Sequence, residues 1–213
     1  MRTALVAGST GLIGKQLVNL LLDDEQYNRV KAISRTPLAI AHAKLENLVI
    51  DFDRLSENHE RLTADDVYCC LGTTIKKAGS EKAFRRVDFE YPLELARLTK
   101  NAGAKTYLLV SALGADRHSR IFYNRVKGET EVAIREVGFQ AFHIFQPSLL
   151  LGPREEKRAG EDAAKVFYKL FGWLMPSSYK AIDSLKVARA MVHVAKQNAT
   201  GLTVHESKSL QAF

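Results

Sequence analysis

Short, nearly continuous apolar runs recur along this 213-residue chain, and longer stretches with an apolar residue at every third or fourth position separate them. The short runs are typical of strands buried on both faces, and the longer pattern is typical of amphipathic helices. Strands that alternate with helices predict an α/β fold, with a doubly wound parallel sheet and helices on both faces. Predicted strands cover residues 3–7, 30–34, 47–50, 67–71, 106–111, 141–146 and 203–205, and predicted helices cover residues 12–22, 81–101, 121–137, 162–170 and 184–197.

No linker divides the chain, which predicts a single domain over residues 1–213. Residues 152–160, GPREEKRAG, form the most loop-like segment, and residues 152–213 are expected to contribute a small substrate-side region. Within that region, the aromatic-rich residues 166–176 predict either a core-facing helix or a substrate lid or subunit contact. The sequence leaves a monomer and a homodimer both open.

The composition is that of an ordinary globular protein, with 46% hydrophobic and 26% charged residues. No apolar run approaches the length of a membrane span, and the opening MRTALVAGST resembles a first strand rather than a signal peptide. We therefore expect a cytoplasmic protein with no membrane partner. The net charge of +7 is scattered without an arginine-rich arm, which disfavours nucleic acid as a partner. The six histidines show no spacing typical of a metal site.

A glycine-rich turn follows the first predicted strand and opens the first predicted helix. Its G-x-x-G-x-x-G spacing permits a tight turn and a close approach of the backbone to a pyrophosphate, which the free N–H groups of the helix N-terminus attract. The position between a strand and a helix makes the motif more specific than a glycine triplet alone. The predicted cofactor-binding residues of this turn are Gly8, Ser9, Thr10, Gly11, Leu12, Ile13 and Gly14.

The ends of the following strands refine the cofactor prediction. The second strand ends in Ser34 and Arg35, and because a guanidinium pairs well with a phosphate, this end favours the 2′-phosphate of NADP over NAD. Asp51, which precedes Phe52, either accepts a hydrogen bond from the adenine amino group or caps the turn that follows it. After the fourth strand, the predicted cofactor contacts are Cys70, Leu71, Gly72 and Thr73.

The pentapeptide YNRVK occurs twice, beginning at Tyr27 and at Tyr123, and only the second copy lies in a predicted helix. Tyr27 and Lys31 enter a strand at the edge of the sheet opposite the cofactor, which predicts a structural or incidental role. On the helix, Tyr123 and Lys127 are stacked neighbours, and an ammonium beside a phenol favours the phenolate. Tyr123 is therefore predicted to exchange a proton with a carbonyl or alcohol oxygen.

A serine completes the predicted catalytic group. Ser111 ends the fifth predicted strand, at the carboxyl edge of the sheet, where ligands of parallel sheets bind. There it is placed to hold a substrate oxygen by a hydrogen bond. The combination of Ser111, Tyr123 and Lys127 in these elements is more specific than either pentapeptide alone, and it predicts a catalytic triad.

Six segments of the chain carry a resemblance to a known family. They are GSTGLIG, CLGTT, VDFEYPLELARL, LLVSALGAD, FYNRVKGETE and FQPSLLLGPRE. Together they resemble the short-chain dehydrogenase/reductases, and within them the atypical branch typified by the Tat-interactive oxidoreductases. The resemblance implies a Rossmann fold, NADP(H) as cofactor, and a triad in which Tyr123 and Lys127 also contact the cofactor, Lys127 by holding the nicotinamide ribose. The further contacts that it implies near the nicotinamide are Pro147, Ser148 and Leu149.

Two departures from the family pattern limit what the resemblance implies. The chain has CLGTT where many relatives carry an Asn-Asn-Ala-Gly turn, and the part that follows Gly152 is short for a region that binds nucleotide sugars. Two functions stay open. One is an enzyme that transfers hydride between NADPH and a small carbonyl or alcohol substrate, and the other is a regulatory or redox-sensing module that binds NADPH without turnover.

Overall fold

The computed structural model describes residues 1–152 and 180–213, and a parallel sheet of seven strands forms its centre. The predicted loop at 153–160, the helix at 162–170 and the aromatic stretch at 166–176 lie outside the described residues. The strands of the central sheet are β1 (Arg2–Ala7), β2 (Tyr27–Ser34), β3 (Leu45–Val49), β4 (Asp66–Cys69), β5 (Thr106–Val110), β6 (Ala141–Gln146) and β9 (Gly201–Glu206). A small second sheet pairs β7 (Leu150–Leu151) with β8 (Ile182–Asp183).

The order of the strands, β3-β2-β1-β4-β5-β6-β9, confirms the predicted doubly wound α/β fold. The chain first winds outwards from β1 to β3 and then returns to place β4 on the other side of β1. The winding direction therefore reverses between β1 and β4. In open parallel sheets, a reversal of this kind leaves a crevice at the carboxyl ends of the strands, and ligands bind there.

Helices cover both faces of the sheet. Within the described part of the chain, none of them is both long enough and apolar enough to cross a membrane. The helical segments are α1 (Leu12–Asp23), the 3₁₀ segment Phe52–Leu62, α2 (Ile75–Ala78), α3 (Glu81–Arg85), the π-helical segment Arg86–Glu90, α4 (Tyr91–Asn101), α5 (Phe122–Glu136), α6 (Ser184–Lys196) and α7 (Ser207–Leu210).

The predicted helix over residues 81–101 is confirmed as one uninterrupted helical stretch, in which a π-helical segment lies between α3 and α4. Pro92 has no N–H and cannot donate to the carbonyl of Asp88, four residues earlier, as a regular α-helix requires. The Thr130 hydroxyl donates to that carbonyl instead, at 2.8 Å. The wider turn also places the Asp88 side chain inside the protein, where it is 1% exposed. This local irregularity therefore prepares one residue of the site described below.

Two apolar clusters hold the helices to the two faces of the sheet. On one face, α1 and α6 pack over β1, β2 and β5 through buried side chains such as Leu17 and Met191. On the other face, the 3₁₀ segment, α4 and α5 pack through residues such as Leu55 and Ile134. Truncating a buried leucine of this kind to alanine typically costs about 2–5 kcal/mol. The carboxyl edge of the sheet lies between these two rigid layers.

Candidate active site

The glycine turn after β1 is too tight for any side chain at two of its glycines. Gly8 has a φ of +79°, and a Cβ there would lie 2.6 Å from the carbonyl oxygen of Cys70. A Cβ at Gly14 would lie 2.2 Å from the Gly8 carbonyl oxygen. The Gly11 N–H closes the turn by donating to the Gly8 carbonyl at 2.9 Å. The turn therefore packs directly against both the first helix and the loop after β4.

The N-terminus of α1 presents free backbone N–H groups at the switch point of the sheet. Its N-cap is Gly11, which has no side chain that could accept from the first turn. Exposed Thr10 and Gly11 flank this end, while Ile13 is buried in the core. Uncapped N–H groups and the positive end of the helix dipole attract a phosphate group. A glycine cradle in contact with an open helix N-terminus fits the pyrophosphate of a dinucleotide.

The Ser9 hydroxyl supports this turn from within. Ser9 is fully buried, and its hydroxyl donates to the Ile33 carbonyl of β2 at 3.0 Å. That bond fixes the turn relative to the end of β2, where the cofactor's ribose is expected. The side chain of Ser9 is thus engaged with the protein, and its predicted contact with the cofactor would come from its backbone.

Replacing Gly14 with alanine is expected to lower the affinity for NADPH about tenfold or more and to destabilise the fold by about 1–3 kcal/mol. The new methyl group would overlap the Gly8 carbonyl, so the whole turn would have to move. Cofactor fluorescence titration and urea unfolding measure the two effects. Asn19→Ala, at an exposed position of the same helix, is the control and should change neither. Wild-type affinity in the Gly14 variant would contradict this function of the turn.

The residues predicted to select the cofactor lie at the ends of β2 and β3. Arg35 is exposed at the end of β2, and the Ser34 hydroxyl next to it donates to the Thr36 carbonyl. Asp51 caps the 3₁₀ segment, because one of its carboxylate oxygens accepts from the Asp53 N–H at 3.0 Å. This contact agrees with the prediction that Asp51 caps the turn after it. Phe52 is buried beneath it. Arg35 therefore lies exposed immediately after the carboxyl end of β2, next to a turn that the Ser34 hydroxyl bond holds in place.

Lys127 forms a buried ion pair that sequence reasoning missed. Its Nζ lies 2.7 Å from Oδ1 of Asp88, and the two side chains are 7% and 0% exposed. The Thr73 N–H donates to the second Asp88 oxygen at 2.8 Å. A Cβ at Gly72 would lie 3.4 Å from Asp88 Oδ1 and 3.6 Å from Lys127 Nζ. The loop after β4, which includes Leu71, therefore passes directly over the ion pair.

This environment keeps Lys127 charged. Burial by itself lowers the pKa of the Lys127 ammonium, but the charge of Asp88, the proximity of Tyr123 and the hydrogen bond to Asp88 raise that pKa above its usual value overall. A buried ammonium that stays protonated can attract the negative charge of a phenolate and donate to a hydroxyl group. Both are properties that the predicted triad requires of its lysine.

Tyr123 lies one helical turn before Lys127 on α5 and is half-buried. Its ring packs against Phe84 at a centroid distance of 5.5 Å. The middle of α5 is held by Gly128, where a Cβ would lie 2.2 Å from the backbone nitrogen of Arg117. The loop after β5 can approach the helix only because this position has no side chain. Packing thus fixes both the ring of Tyr123 and the helix that carries it.

Ser111 is held at the carboxyl end of β5 by two kinds of bond. Its N–H donates to the Phe145 carbonyl at 2.8 Å, and its hydroxyl donates to the carboxylate of Glu131 on α5. The Gln146 amide also donates to Glu131, at 3.0 Å to Oε1 and 3.2 Å to Oε2. Burial raises the pKa of Glu131, while the bonds from Ser111 and Gln146 and the charge of Lys127 lower it, and the net pKa lies above its usual value.

The segment after β6 reaches the same edge of the sheet. Pro147 is buried, and its carbonyl accepts from the Leu113 N–H at 3.0 Å. The Ser148 hydroxyl donates to the Lys180 carbonyl and accepts from Ser207 at 3.0 Å. Leu149 is exposed. These bonds connect the predicted nicotinamide segment to the start of α7 and to the chain around residue 180.

The side chains of the first YNRVK copy make structural bonds in the core, towards the end of the sheet opposite the candidate site. The Tyr27 hydroxyl lies 2.8 Å from Asp66 Oδ2 and 2.8 Å from the Tyr68 hydroxyl. The Lys31 ammonium donates at 2.9 Å to the carbonyls of Arg61 and Thr63. Both side chains of this copy are therefore engaged in structural bonds, as the extended geometry of a strand predicts.

Sequence reasoning placed Ser111, Tyr123 and Lys127 at one edge of the sheet and missed the acids that hold two of them. Glu131 continues the spacing of four residues from Tyr123 and Lys127, so the same helix face signals it. Asp88 has a weaker signal, which is an acid between Val87 and Phe89 in an otherwise apolar pattern. The sequence pattern does not show that this acid lies beside Lys127.

A comparison with protein families places the chain among cofactor-binding proteins. A family model described as NAD(P)H-binding matches residues 8–198. Protein HTATIP2 from Rattus norvegicus is 36% identical over 90% of this chain and 80% of that protein. Protein FMP52, mitochondrial, from Coccidioides immitis (strain RS) is 34% identical over 90% of this chain and 85% of that protein. The similarity therefore extends over most of the chain and most of each relative.

These relatives correct one prediction. The fungal relatives that match most of the chain, including one from Debaryomyces hansenii at 30% identity over 93% of this chain, are named mitochondrial proteins. That finding contradicts the prediction of a cytoplasmic location. The prediction rested on the opening residues and on the lack of long apolar runs, and neither property distinguishes one interior compartment from another.

Solved structures show the same fold at low sequence identity. MoeE5 in complex with UDP-glucose and NAD has a TM-score of 0.74 and 16% identity, over 95% of this chain and 74% of that chain. UDP-N-acetylglucosamine 4-epimerase from Methanobrevibacter ruminantium M1 has a TM-score of 0.72 and 16% identity, over 96% of this chain and 76% of that chain. With its Rossmann sheet, a family model over most of its length and relatives above 30% identity, the chain belongs to the NAD(P)H-binding family, as an oxidoreductase of the short-chain dehydrogenase/reductase type related to HTATIP2.

Proposed function

We propose that the protein transfers hydride between NADP(H) and a small carbonyl or alcohol substrate, with Ser111, Tyr123 and Lys127 as its catalytic residues. The observation that carries this proposal is the buried Lys127–Asp88 ion pair, directly beneath the loop that follows β4 and one helical turn from Tyr123. Burying an ion pair costs desolvation free energy, and buried charged groups of this kind are common at functional sites. This pair lies at the carboxyl edge of the sheet, where ligands of parallel sheets bind.

Each residue has a separate part in this reaction. The bound cofactor supplies or accepts the hydride. The glycine turn and the open N-terminus of α1 hold the pyrophosphate, and Lys127 holds the nicotinamide ribose and favours the phenolate of Tyr123. Tyr123 gives a proton to the substrate oxygen during reduction and takes one during oxidation, and Ser111 orients that oxygen.

The substrate proposal follows from what the structural neighbours hold. MoeE5 was solved in complex with UDP-glucose and NAD, which supports a small-molecule substrate for this chain as well. We favour a small carbonyl or alcohol substrate, because the proposed triad acts on a single substrate oxygen. NADPH oxidation with a panel of aldehydes and ketones tests the proposal, and binding of NADPH without oxidation by any of them would favour a regulatory or redox-sensing module instead.

Arg35 is proposed to select NADP. Arg35→Ser is expected to weaken NADPH binding about 10- to 100-fold and to leave NADH binding nearly unchanged, because only NADPH carries the 2′-phosphate that a guanidinium can bind. Fluorescence titrations with both cofactors measure this ratio. Arg29→Ser removes another exposed arginine from the opposite end of β2 and should leave the ratio unchanged. Equal losses for NADPH and NADH in the Arg35 variant would contradict the proposal.

A further inference from the structure

The Ser111 hydroxyl has a single proton, and Glu131 holds it. A serine hydroxyl donates one hydrogen bond and accepts up to two. Because Ser111 donates to the Glu131 carboxylate, only oxygen lone pairs remain for a substrate. A carbonyl oxygen that becomes an alkoxide needs a donor at this position, and a lone pair there would repel it. The arrangement is therefore suited to reduction only if the proton can be released.

The surroundings of Glu131 determine when it releases the Ser111 proton. Donors face its carboxyl group from two strands, since Ser111 follows β5 and Gln146 ends β6. Among residues 1–152 and 180–213, the charged group that acts on it is Lys127, one turn earlier on the same helix. An ionised carboxylate can only accept, whereas a neutral carboxylic acid has a proton of its own that it can donate to the Ser111 oxygen.

We propose that Glu131 is a positioning residue that switches Ser111 between an acceptor and a donor toward the substrate. As a carboxylate, Glu131 binds the Ser111 proton, and as a neutral acid it donates to Ser111 and leaves that proton for the substrate oxygen. This inference rests on the proposed function, because it concerns how the triad handles a carbonyl. The protons balance in this scheme. Tyr123 supplies the proton that the alkoxide takes, Ser111 keeps its own proton, and Glu131 exchanges a proton with solvent.

The switch gives carbonyl reduction a defined pH dependence. The pKa of Glu131 lies above its usual value because burial outweighs the opposing effects of its donors and of Lys127. The neutral acid therefore persists to a higher pH than for an exposed glutamate. Assistance by Ser111 is present below the pKa of Glu131 and is lost as the pH rises through it.

The kinetic test uses 4-nitrobenzaldehyde as the carbonyl probe and NADPH oxidation as the signal, between pH 5 and 9. Glu131→Gln removes the charge and keeps the shape, and a neutral amide holds a hydroxyl proton less strongly than a carboxylate does. We expect this variant to lose the fall of kcat/KM that follows the ionisation of Glu131, to keep any fall that follows the ionisation of Tyr123, and to exceed the wild type about tenfold at the pH where wild-type Glu131 is ionised. The control is Glu129→Gln on the same helix as Glu131: Glu129 pairs with Arg85 of α3, and its variant should keep the wild-type profile.

A double-mutant cycle separates this switch from a general structural effect. In a Ser111→Ala background there is no hydroxyl proton to release, so adding Glu131→Gln should change neither the rate nor its pH profile. If Glu131→Gln acts equally with and without the serine hydroxyl, the proposal is overturned. It is also overturned if the Glu131→Gln profile is superimposable on that of the wild type.

An infrared titration tests the contact without any substrate. The carboxylic-acid band that disappears in Glu131→Gln reports the protonation of Glu131 in the full-length protein. Removing the donor in Ser111→Ala should shift the midpoint of that band to higher pH, and Glu129→Gln should not shift it. An unchanged midpoint in Ser111→Ala overturns the proposal. If the wild type fails to reduce any carbonyl, the proposed function fails by itself, and the infrared midpoints still decide whether Glu131 binds the Ser111 proton.

Discussion

Tyr123→Phe is expected to lower kcat/KM for carbonyl reduction about 10²- to 10⁴-fold, which is the usual contribution of a general acid, while leaving the affinity for NADPH within a factor of about two. The substitution removes only the hydroxyl, and the ring that remains still packs on Phe84 at 5.5 Å. The helix, the Lys127–Asp88 pair and the glycine turn should therefore be unaffected. NADPH oxidation gives the first quantity, and cofactor fluorescence gives the second.

The repeated pentapeptide supplies a control for this experiment. Tyr27→Phe removes a hydroxyl from the same YNRVK context, but that hydroxyl bonds Asp66 and Tyr68 in the core. This variant should lose about 1–3 kcal/mol of unfolding free energy, since two buried groups lose a partner, and its turnover should match the wild type. Wild-type turnover in Tyr123→Phe would remove Tyr123 from the mechanism, whatever the Tyr27 variant does.

The sequence predicts the sheet well because central parallel strands leave an unmistakable pattern. Residues Ala4–Ala7 are all fully buried, since helices cover β1 on both faces, and such a strand has to be apolar throughout. The predicted helix over residues 81–101 is also confirmed, but the sequence pattern did not reveal the π-helical turn inside it. Its apolar spacing is helical along its whole length, but Pro92 cannot complete the α-helical bonding, and a periodicity count does not register a missing N–H.

The candidate site shows a similar division. The glycine turn and the spacing of Tyr123 and Lys127 are local features, so the sequence reveals them directly. The partners Asp88 and Glu131 depend on which elements meet in three dimensions. Asp88 reaches Lys127 only through the π-helical segment, and Glu131 reaches Ser111 only because α5 packs over the end of β5. Both contacts join different elements of the fold, so the spacing of residues along the chain does not predict them.

The largest loss of stability is expected from Lys127→Met. The substitution leaves the Asp88 carboxylate buried with no opposite charge, and removing one partner of a buried ion pair typically costs about 3–5 kcal/mol. Urea unfolding measures this loss. Lys31→Met is the matched comparison from the first YNRVK copy, because Lys31 is also buried but bonds only neutral groups, at 2.8–2.9 Å. Its expected cost is about 1–3 kcal/mol, since the groups that it leaves carry no charge.

A second substitution tests why Lys127→Met is expected to lose more stability than Lys31→Met. Adding Asp88→Asn to Lys127→Met removes the stranded charge and keeps an oxygen that can accept from the Thr73 N–H, so the double variant should recover a large part of the lost stability. The same addition cannot rescue Lys31→Met, because Asp88 does not contact Lys31. Recovered stability with turnover still absent would separate the two tasks of Lys127, which are to neutralise Asp88 in the folded protein and to act on Tyr123 and the cofactor. If the double variant is no more stable than Lys127→Met, the ion pair is not what holds this edge of the sheet.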